Sequence, residues 1–136
     1  MNKKKFYLWL VPTLLWLAVI FGHSAMNASA SSKESLELLG KLQELFPWLT
    51  HDILRKIGHF AEFSVLGFFL MGCFWNYKDF RIIKPLRSAL LVGLYDETLQ
   101  IFIEGRSAQV VDVWIDFAGA LCGCLFLWAI LKLQKK

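Results

Sequence analysis

Cysteine is scarce in this sequence, and its three cysteines form no recognisable binding motif. Cys73 stands alone in one apolar run, while Cys122 and Cys124 lie two residues apart in another. Residues two apart on a helix point to different faces, so this pair is poorly placed for a disulfide or a shared metal ion. We therefore interpret all three as small apolar packing residues.

Charged residues are also few, at 19% of the chain, whereas hydrophobic residues make up 57%. This balance excludes an ordinary soluble domain. The net charge of +4 does not indicate a nucleic-acid partner, because the basic residues stand at the ends of apolar runs. We expect the protein to lie in a lipid bilayer and to bind no nucleic acid.

Four apolar runs, each near or above the length that crosses a bilayer, predict an all-α, polytopic membrane helix bundle with four transmembrane helices. The predicted spans are residues 6–22, 57–76, 88–104 and 110–131. A segment between the first two, residues 33–49, has leucines at helical spacing and predicts a short amphipathic helix on the outer surface. Ser31 or Ser32 would cap its start, and Pro47 would stop it. We expect residues 1–136 to form a single membrane domain.

Basic residues are concentrated on one side of this predicted bundle. Ten of the fifteen lie before the first span, between the second and third spans, or after the last. Of the eleven acids, only Asp79 falls in those segments. The positive-inside rule therefore predicts that both termini are cytoplasmic and that the other two connections face outward.

The first apolar run has a second interpretation as a secretory signal, since Ala28-Ser29-Ala30 resembles a cleavage site. We favour a retained span, because the run is longer than the roughly 7 to 15 apolar residues of a signal. The intact mass of membrane-extracted protein distinguishes the two, since loss of residues 1–30 would contradict a four-span bundle.

The third apolar run is interrupted by Asp96, Glu97 and Gln100. A charge at a helix centre costs roughly 2.5 to 3.5 kcal/mol, whereas a large aliphatic residue contributes only about 0.3 to 0.6 kcal/mol in favour of insertion. The run is therefore a poor span alone. It becomes a good one if these groups face a bundle interior and meet polar partners there.

Polar residues of three predicted spans fall at one depth, toward the outer leaflet. They are Arg55, His59 and Glu62 on the second span, Asp96, Glu97 and Gln100 on the third, and Asp112 and Asp116 on the fourth. On the fourth span, Gly119 and Gly123 continue the stripe more deeply, where close helix approach requires small residues. This convergence favours a ligand or catalytic site, with a structural network as the alternative.

Two roles can be assigned to these groups. The catalytic candidates are His59, Glu62, Asp96, Glu97 and Gln100, with His59 and Glu62 as an oriented acid/base pair. Asp96 and Glu97 are adjacent, so we expect them not to face the same point. The substrate-binding candidates are Arg55, Lys56, Arg106, Asp112 and Asp116, of which the three cations can hold a phosphate or carboxylate. A metal ion held by His59, Glu62, Asp96 and Glu97 is conceivable, but one histidine among carboxylates is a weak signal. The sequence therefore assigns no metal ligand and leaves the cofactor unknown.

These residues resemble the VanZ-like family of small bacterial membrane proteins over about residues 53–131. The motifs are Lys56-x-x-His59-Phe60-x-Glu62-Phe63, Asp96-Glu97-x-x-Gln100 followed by Gly105-Arg106-Ser107, and Asp112-Val113-x-x-Asp116-x-x-Gly119-Ala120-x-x-Gly123. The chain departs from the family pattern at Phe63, Glu104 and Asp116. The resemblance implies a location in the bacterial cytoplasmic membrane near the cell envelope, and the founding member is associated with low-level resistance to glycopeptides, notably teicoplanin.

Two functions follow as hypotheses. In the first, the outer site binds or modifies an anionic lipid or envelope precursor, and its enzyme form is a hydrolase or transferase acting on a lipid-linked substrate. In the second, the chain is a non-enzymatic transport or assembly subunit whose polar network is structural or proton-linked. Four short helices enclose little pathway unless several copies assemble, so a homo-oligomer is compatible with either hypothesis.

Overall fold

Five helices account for the regular structure of the described residues, which include no strand. The computed structural model describes residues 3–26, 28–75, 81–103 and 108–134. The helices are α1 (Lys3–Ala25), α2 (Ala28–Gln43), α3 (His51–Trp75), α4 (Ile83–Ile101) and α5 (Val110–Leu133). The predicted all-α class is confirmed.

Three of these helices are long and apolar enough to cross a membrane. They are Phe6–Ala25 within α1, His51–Trp75 and Val110–Leu133. The fourth expected span, α4, is not among them, because its 19 residues include Lys84, Arg87, Asp96 and Glu97. The third apolar run is a poor span by sequence, and the complete helix α4 has the same deficit of apolar residues.

Several helices extend beyond the apolar runs that predicted them. The helix α3 begins at His51, six residues before the expected start at 57, since the Thr50 hydroxyl accepts a hydrogen bond from the Ile53 N–H at 3.3 Å and caps it. The helix α4 begins at Ile83, and its Pro85 lies in the first turn, where no N–H is needed. Because their first turns include polar residues, α3 and α4 begin earlier in the chain than hydropathy indicates.

The amphipathic segment is a helix, but its bounds differ from the expected residues 33–49. It runs from Ala28 to Gln43, so Ser31 and Ser32 lie inside it and not at its start. After Gln43 the chain turns, and the Gln43 side-chain amide donates to the Leu49 carbonyl at 2.8 Å. Because α2 ends four residues before Pro47, the expectation that Pro47 stops this helix is wrong.

The closest helix pair in the bundle is α3 with α5. A Cβ atom on Gly119 would overlap the backbone carbonyl of Phe60, and one on Gly123 would overlap that of Ser64. The close helix approach expected at these two glycines is confirmed. Because residue numbers rise together along both contacts, α3 and α5 are parallel and begin at the same end of the bundle.

The remaining long helices run the other way. In α1, Thr13 contacts Cys73 near the end of α3 at 3.4 Å, while Trp16 donates to the carbonyl of Glu62 at 2.8 Å. In α4, Asp96 accepts a hydrogen bond from the Ser24 hydroxyl of α1, so these two helices end together. The starts of α3 and α5 and the ends of α1 and α4 therefore meet at one end, which we call the polar end.

Candidate functional site

Two ion pairs join α3 to α5 at the polar end. Arg55 Nη2 lies 3.0 Å from Asp112 Oδ2, and His59 Nδ1 lies 3.1 Å from Asp116 Oδ1. The two members on each helix are four residues apart, so the parallel helices place the two ion pairs one helical turn from each other. The two aspartates are buried, at 0% and 1% exposure.

The helix α4 adds three buried polar side chains next to these ion pairs. Asp96, Glu97 and Gln100 are 1%, 5% and 0% exposed. The Gln100 amide donates to Asp96 Oδ2 at 3.2 Å, one helical turn away, and Ser24 donates to Asp96 Oδ1. All three α4 residues thus face the bundle interior, which is the placement that their insertion cost requires.

Asp96 and Glu97 converge, contrary to the sequence expectation that adjacent residues cannot face one point. Ligand atoms of both, with those of His59 and Asp116, lie within 4.8 Å of one another. Adjacent side chains leave a helix about 100° apart. The longer Glu97 arm can bend back toward the position that the shorter Asp96 reaches directly.

Glu97 also ties the end of α4 to the start of α5. Its Oε2 accepts a hydrogen bond from the backbone N–H of Gln109 at 2.7 Å, and Gln109 is the N-cap residue of α5. A carboxylate at a helix N-terminus is favoured by the helix dipole. One oxygen of Glu97 is therefore occupied, and the other is oriented into the buried interior.

The expected acid/base pair of His59 with Glu62 does not form. His59 bonds Asp116, while Glu62 Oε1 lies 2.6 Å from His23 Nδ1 on α1, at a more exposed position. The reason is that α5 approaches α3 on the His59 side and α1 approaches it on the Glu62 side. Glu62 is therefore separated from the buried cluster in the described structure.

His23 and Ser24 are contacts that sequence reasoning missed. Both lie at the end of α1, directly after the first apolar run. The signal was available, since the predicted topology places that run's end at the same depth as the acids of the other spans. They were missed because the first run carries no interior charged residue that breaks its pattern.

The three cationic candidates have different positions. Arg55 is engaged with Asp112 and lies 3.6 Å from Asp52. Lys56 Nζ lies 2.6 Å from the exposed Asp52, at the rim of the bundle. Arg106 lies outside the described residues. The buried part of the described site is consequently richer in carboxylates than in cations.

A protein-family model described as VanZ/LLP1 matches residues 9–132, which contain every polar residue of the site. The match therefore covers most of the chain, including α1 from residue 9 onward, all of α2 to α4, and all of α5 but its last residue. No curated protein and no solved structure matches the chain.

Proposed function

Because this chain belongs to the VanZ/LLP1 family, we propose that it is an integral membrane protein whose polar end binds or modifies an anionic component of the cell envelope. The component would be a lipid or a lipid-linked envelope precursor. The observation that carries the proposal is the burial of Asp96, Glu97, Asp112 and Asp116 beside Arg55 and His59. Ionisable groups in membrane-spanning helices are costly and are functional candidates by default.

The proposed topology has four spans, cytoplasmic termini and the polar end in the outer leaflet of a bacterial cytoplasmic membrane. Described basic residues support this orientation, since Arg81, Lys84, Arg87 and Lys132 all lie toward the end opposite the polar cluster. Cytoplasmic membrane flanks carry such an excess of lysine and arginine. An outer-leaflet site meets envelope precursors after they have crossed the membrane.

In the enzyme form of this proposal, His59 is the acid/base group and Asp116 orients it. Their 3.1 Å contact gives Asp116 the position beside His59 that the sequence assigned to Glu62. The reaction would be hydrolysis or group transfer on a lipid-linked substrate. Arg55, Lys56 and Arg106 would hold its anionic group, the first two from the rim where they are half-buried.

The alternative is a non-enzymatic subunit for transport or assembly, with a structural or proton-linked network. One observation favours it: Ser24 and Gln100 both bond Asp96, and the Gln109 N–H bonds Glu97, so each acid of α4 also holds helices together. Both functions use the same residues. The two functions differ in what removal of these residues would do to the protein.

Substitution of site residues separates the two proposals. We expect Glu97→Gln and Arg106→Ala each to return cells to the glycopeptide susceptibility of a deletion strain, tested with teicoplanin, while membrane abundance and melting in detergent stay normal. Glu44→Gln and Arg81→Ala are matched controls, because both side chains are exposed and neither belongs to the buried cluster. Degradation of both site variants would instead support the structural network.

A chemical comparison tests the substrate class. Lipids and glycopolymers extracted from cells with and without the protein should differ in at least one anionic species, and Glu97→Gln should reproduce the profile without the protein. No change in any species, together with unaltered teicoplanin sensitivity, would contradict binding or modification of an envelope component.

A further inference from the structure

The polar end contains four groups whose chemistry and spacing suit a metal ion. His59, Asp96, Glu97 and Asp116 each offer one ligand atom, and these atoms lie within 4.8 Å of one another. They come from α3, α4 and α5, so the set is assembled by the fold and not by a local motif. We propose that this cluster binds a divalent cation of the Mn²⁺ type.

Unpaired oxygens provide the second observation. Glu97 Oε1, Asp116 Oδ2 and the amide Oε1 of the adjacent Gln100 are buried and have no hydrogen-bond partner among the described residues. The side chains concerned are 5%, 1% and 0% exposed. A buried acceptor without a partner is unfavourable, and the close approach of the Asp96, Glu97 and Asp116 carboxylates adds electrostatic repulsion. A bound cation would coordinate the unpaired oxygens and balance the negative charge of the carboxylates.

The neighbouring contacts orient the acids for such an ion. Glu97 Oε2 is held by the Gln109 N–H and Asp116 Oδ1 by His59, which leaves the second oxygen of each acid unpaired. Asp96 differs, because both of its oxygens accept hydrogen bonds, Oδ1 from Ser24 and Oδ2 from Gln100, and these bonds fix its orientation. Hydrogen bonds that orient ligand carboxylates are typical of protein metal sites.

The donor types select the class of cation. Opposite ligands of an octahedral ion with bonds of about 2.1 Å lie about 4.2 Å apart. The four donor atoms lie within 4.8 Å of one another, so small side-chain shifts would bring them onto one ion. Carboxylates suit Mg²⁺, Ca²⁺ and Mn²⁺, and the imidazole favours Mn²⁺ within that group.

A cation here would explain how a carboxylate-rich interior handles an anionic ligand, and this part of the inference rests on the proposed function. Four protein ligands on a six-coordinate ion leave two positions for water or for phosphate or carboxylate oxygens. The ion would neutralise the acids and polarise the bound group, and His59 as its ligand would then not serve as the acid/base group of the enzyme form. Arg55 would not need to leave Asp112.

The test is a titration of Mn²⁺ into the full chain, purified in detergent and stripped with a chelator. We expect one bound Mn²⁺ per chain, a higher melting temperature on addition of Mn²⁺, and weaker retention of Mg²⁺. Pulsed electron paramagnetic resonance should show nitrogen coupled to the bound Mn²⁺, and His59→Gln should remove that signal. Absence of stoichiometric Mn²⁺ from the wild-type chain, or a bound ion without nitrogen coupling, would overturn the proposal.

Substitutions locate the ion. Glu97→Gln and Asp116→Asn should each weaken Mn²⁺ binding at least about tenfold, whereas the exposed acids changed in Glu44→Gln and Asp52→Asn should leave it unchanged. Equal affinity in all four variants would overturn the assignment, and the nitrogen signal of the wild type tests it even if a site variant fails to fold.

The cell assay is independent of this result. If Glu97→Gln loses activity while the wild-type chain binds no Mn²⁺, the cation is overturned and the proposed function stands. Bound Mn²⁺ in a protein whose deletion changes neither susceptibility nor envelope composition would support the cation and contradict the proposed function.

Discussion

Arg55 and Asp112 form the ion pair nearest the mouth of the polar end, and they offer a test at the residue scale. Asp112 is 0% exposed and the Arg55 side chain 25% exposed, with 3.0 Å between them. Removing one partner of a buried pair costs about 3 to 5 kcal/mol, and partial exposure of Arg55 places Arg55→Leu toward the lower value. Melting in detergent measures this loss, with the exposed Arg87→Leu of α4 as the control.

The double variant makes that prediction specific. Arg55→Leu/Asp112→Leu should recover most of the lost stability, because it leaves no uncompensated charge in the interior. If Arg55→Leu alone melts like the wild type, Asp112 does not depend on its cation.

The residues of the cluster could be predicted from the sequence, but their partners could not. Spacing within one helix is local, so the sequence alone places His59, Asp96 and Asp116 each on an inward stripe. Their partners depend on how the helices align, which the contact at Gly119 determines by bringing Asp116 to His59. For the same reason the local pair His59 and Glu62 was a wrong prediction.

At the scale of elements, the close contact of α3 with α5 aligns the two ion pairs of the site. We expect Gly119→Ala to lower stability by about 1 to 3 kcal/mol, because the added Cβ would overlap the carbonyl of Phe60 and force the helices apart. Gly22→Ala is the matched control: it lies in α1 with nothing within 4 Å of a Cβ, so it should be neutral or slightly stabilising. Membrane abundance and melting in detergent measure both.

The same variant connects packing to the site. Separation at Gly119 should also lengthen the contact of His59 with Asp116, so Gly119→Ala should impair Mn²⁺ binding although it changes no ligand. Unchanged stability and unchanged Mn²⁺ affinity would show that the helices can separate at Gly119 without cost to the site.

Element boundaries followed hydropathy less well than element types did. Apolar length predicts how much of a helix lies in lipid, not where its hydrogen-bonded ladder begins, so the Thr50 cap and the first turn of α4 escaped prediction. The helix α1 was expected only as a span. Its buried Thr13, Ile20 and Ser24 make it part of the packed bundle, which supports the retained-span interpretation.

At the scale of the whole molecule, the direction of α3 and α5 constrains the membrane topology. These two helices are membrane-capable and parallel, so both would cross the bilayer in the same direction. The chain must then return between Trp75 and Val110, and α4 is the helix described in that interval. Its 19 residues give a length of about 28 Å, close to the roughly 30 Å of the hydrocarbon core.

We therefore expect α4 to span the membrane although its composition alone argues against it. In a Cys122→Ala background, where the remaining cysteines are buried, an impermeant maleimide should label Leu45→Cys and Ala108→Cys on intact cells. Arg81→Cys and Gln134→Cys should be labelled only after permeabilisation. These four positions are exposed and lie on the two sides predicted by the basic residues. Labelling of Ala108→Cys only from the inside would mean that α4 does not cross; α5 would then start on the cytoplasmic side, and Asp116 could not meet His59 in the membrane.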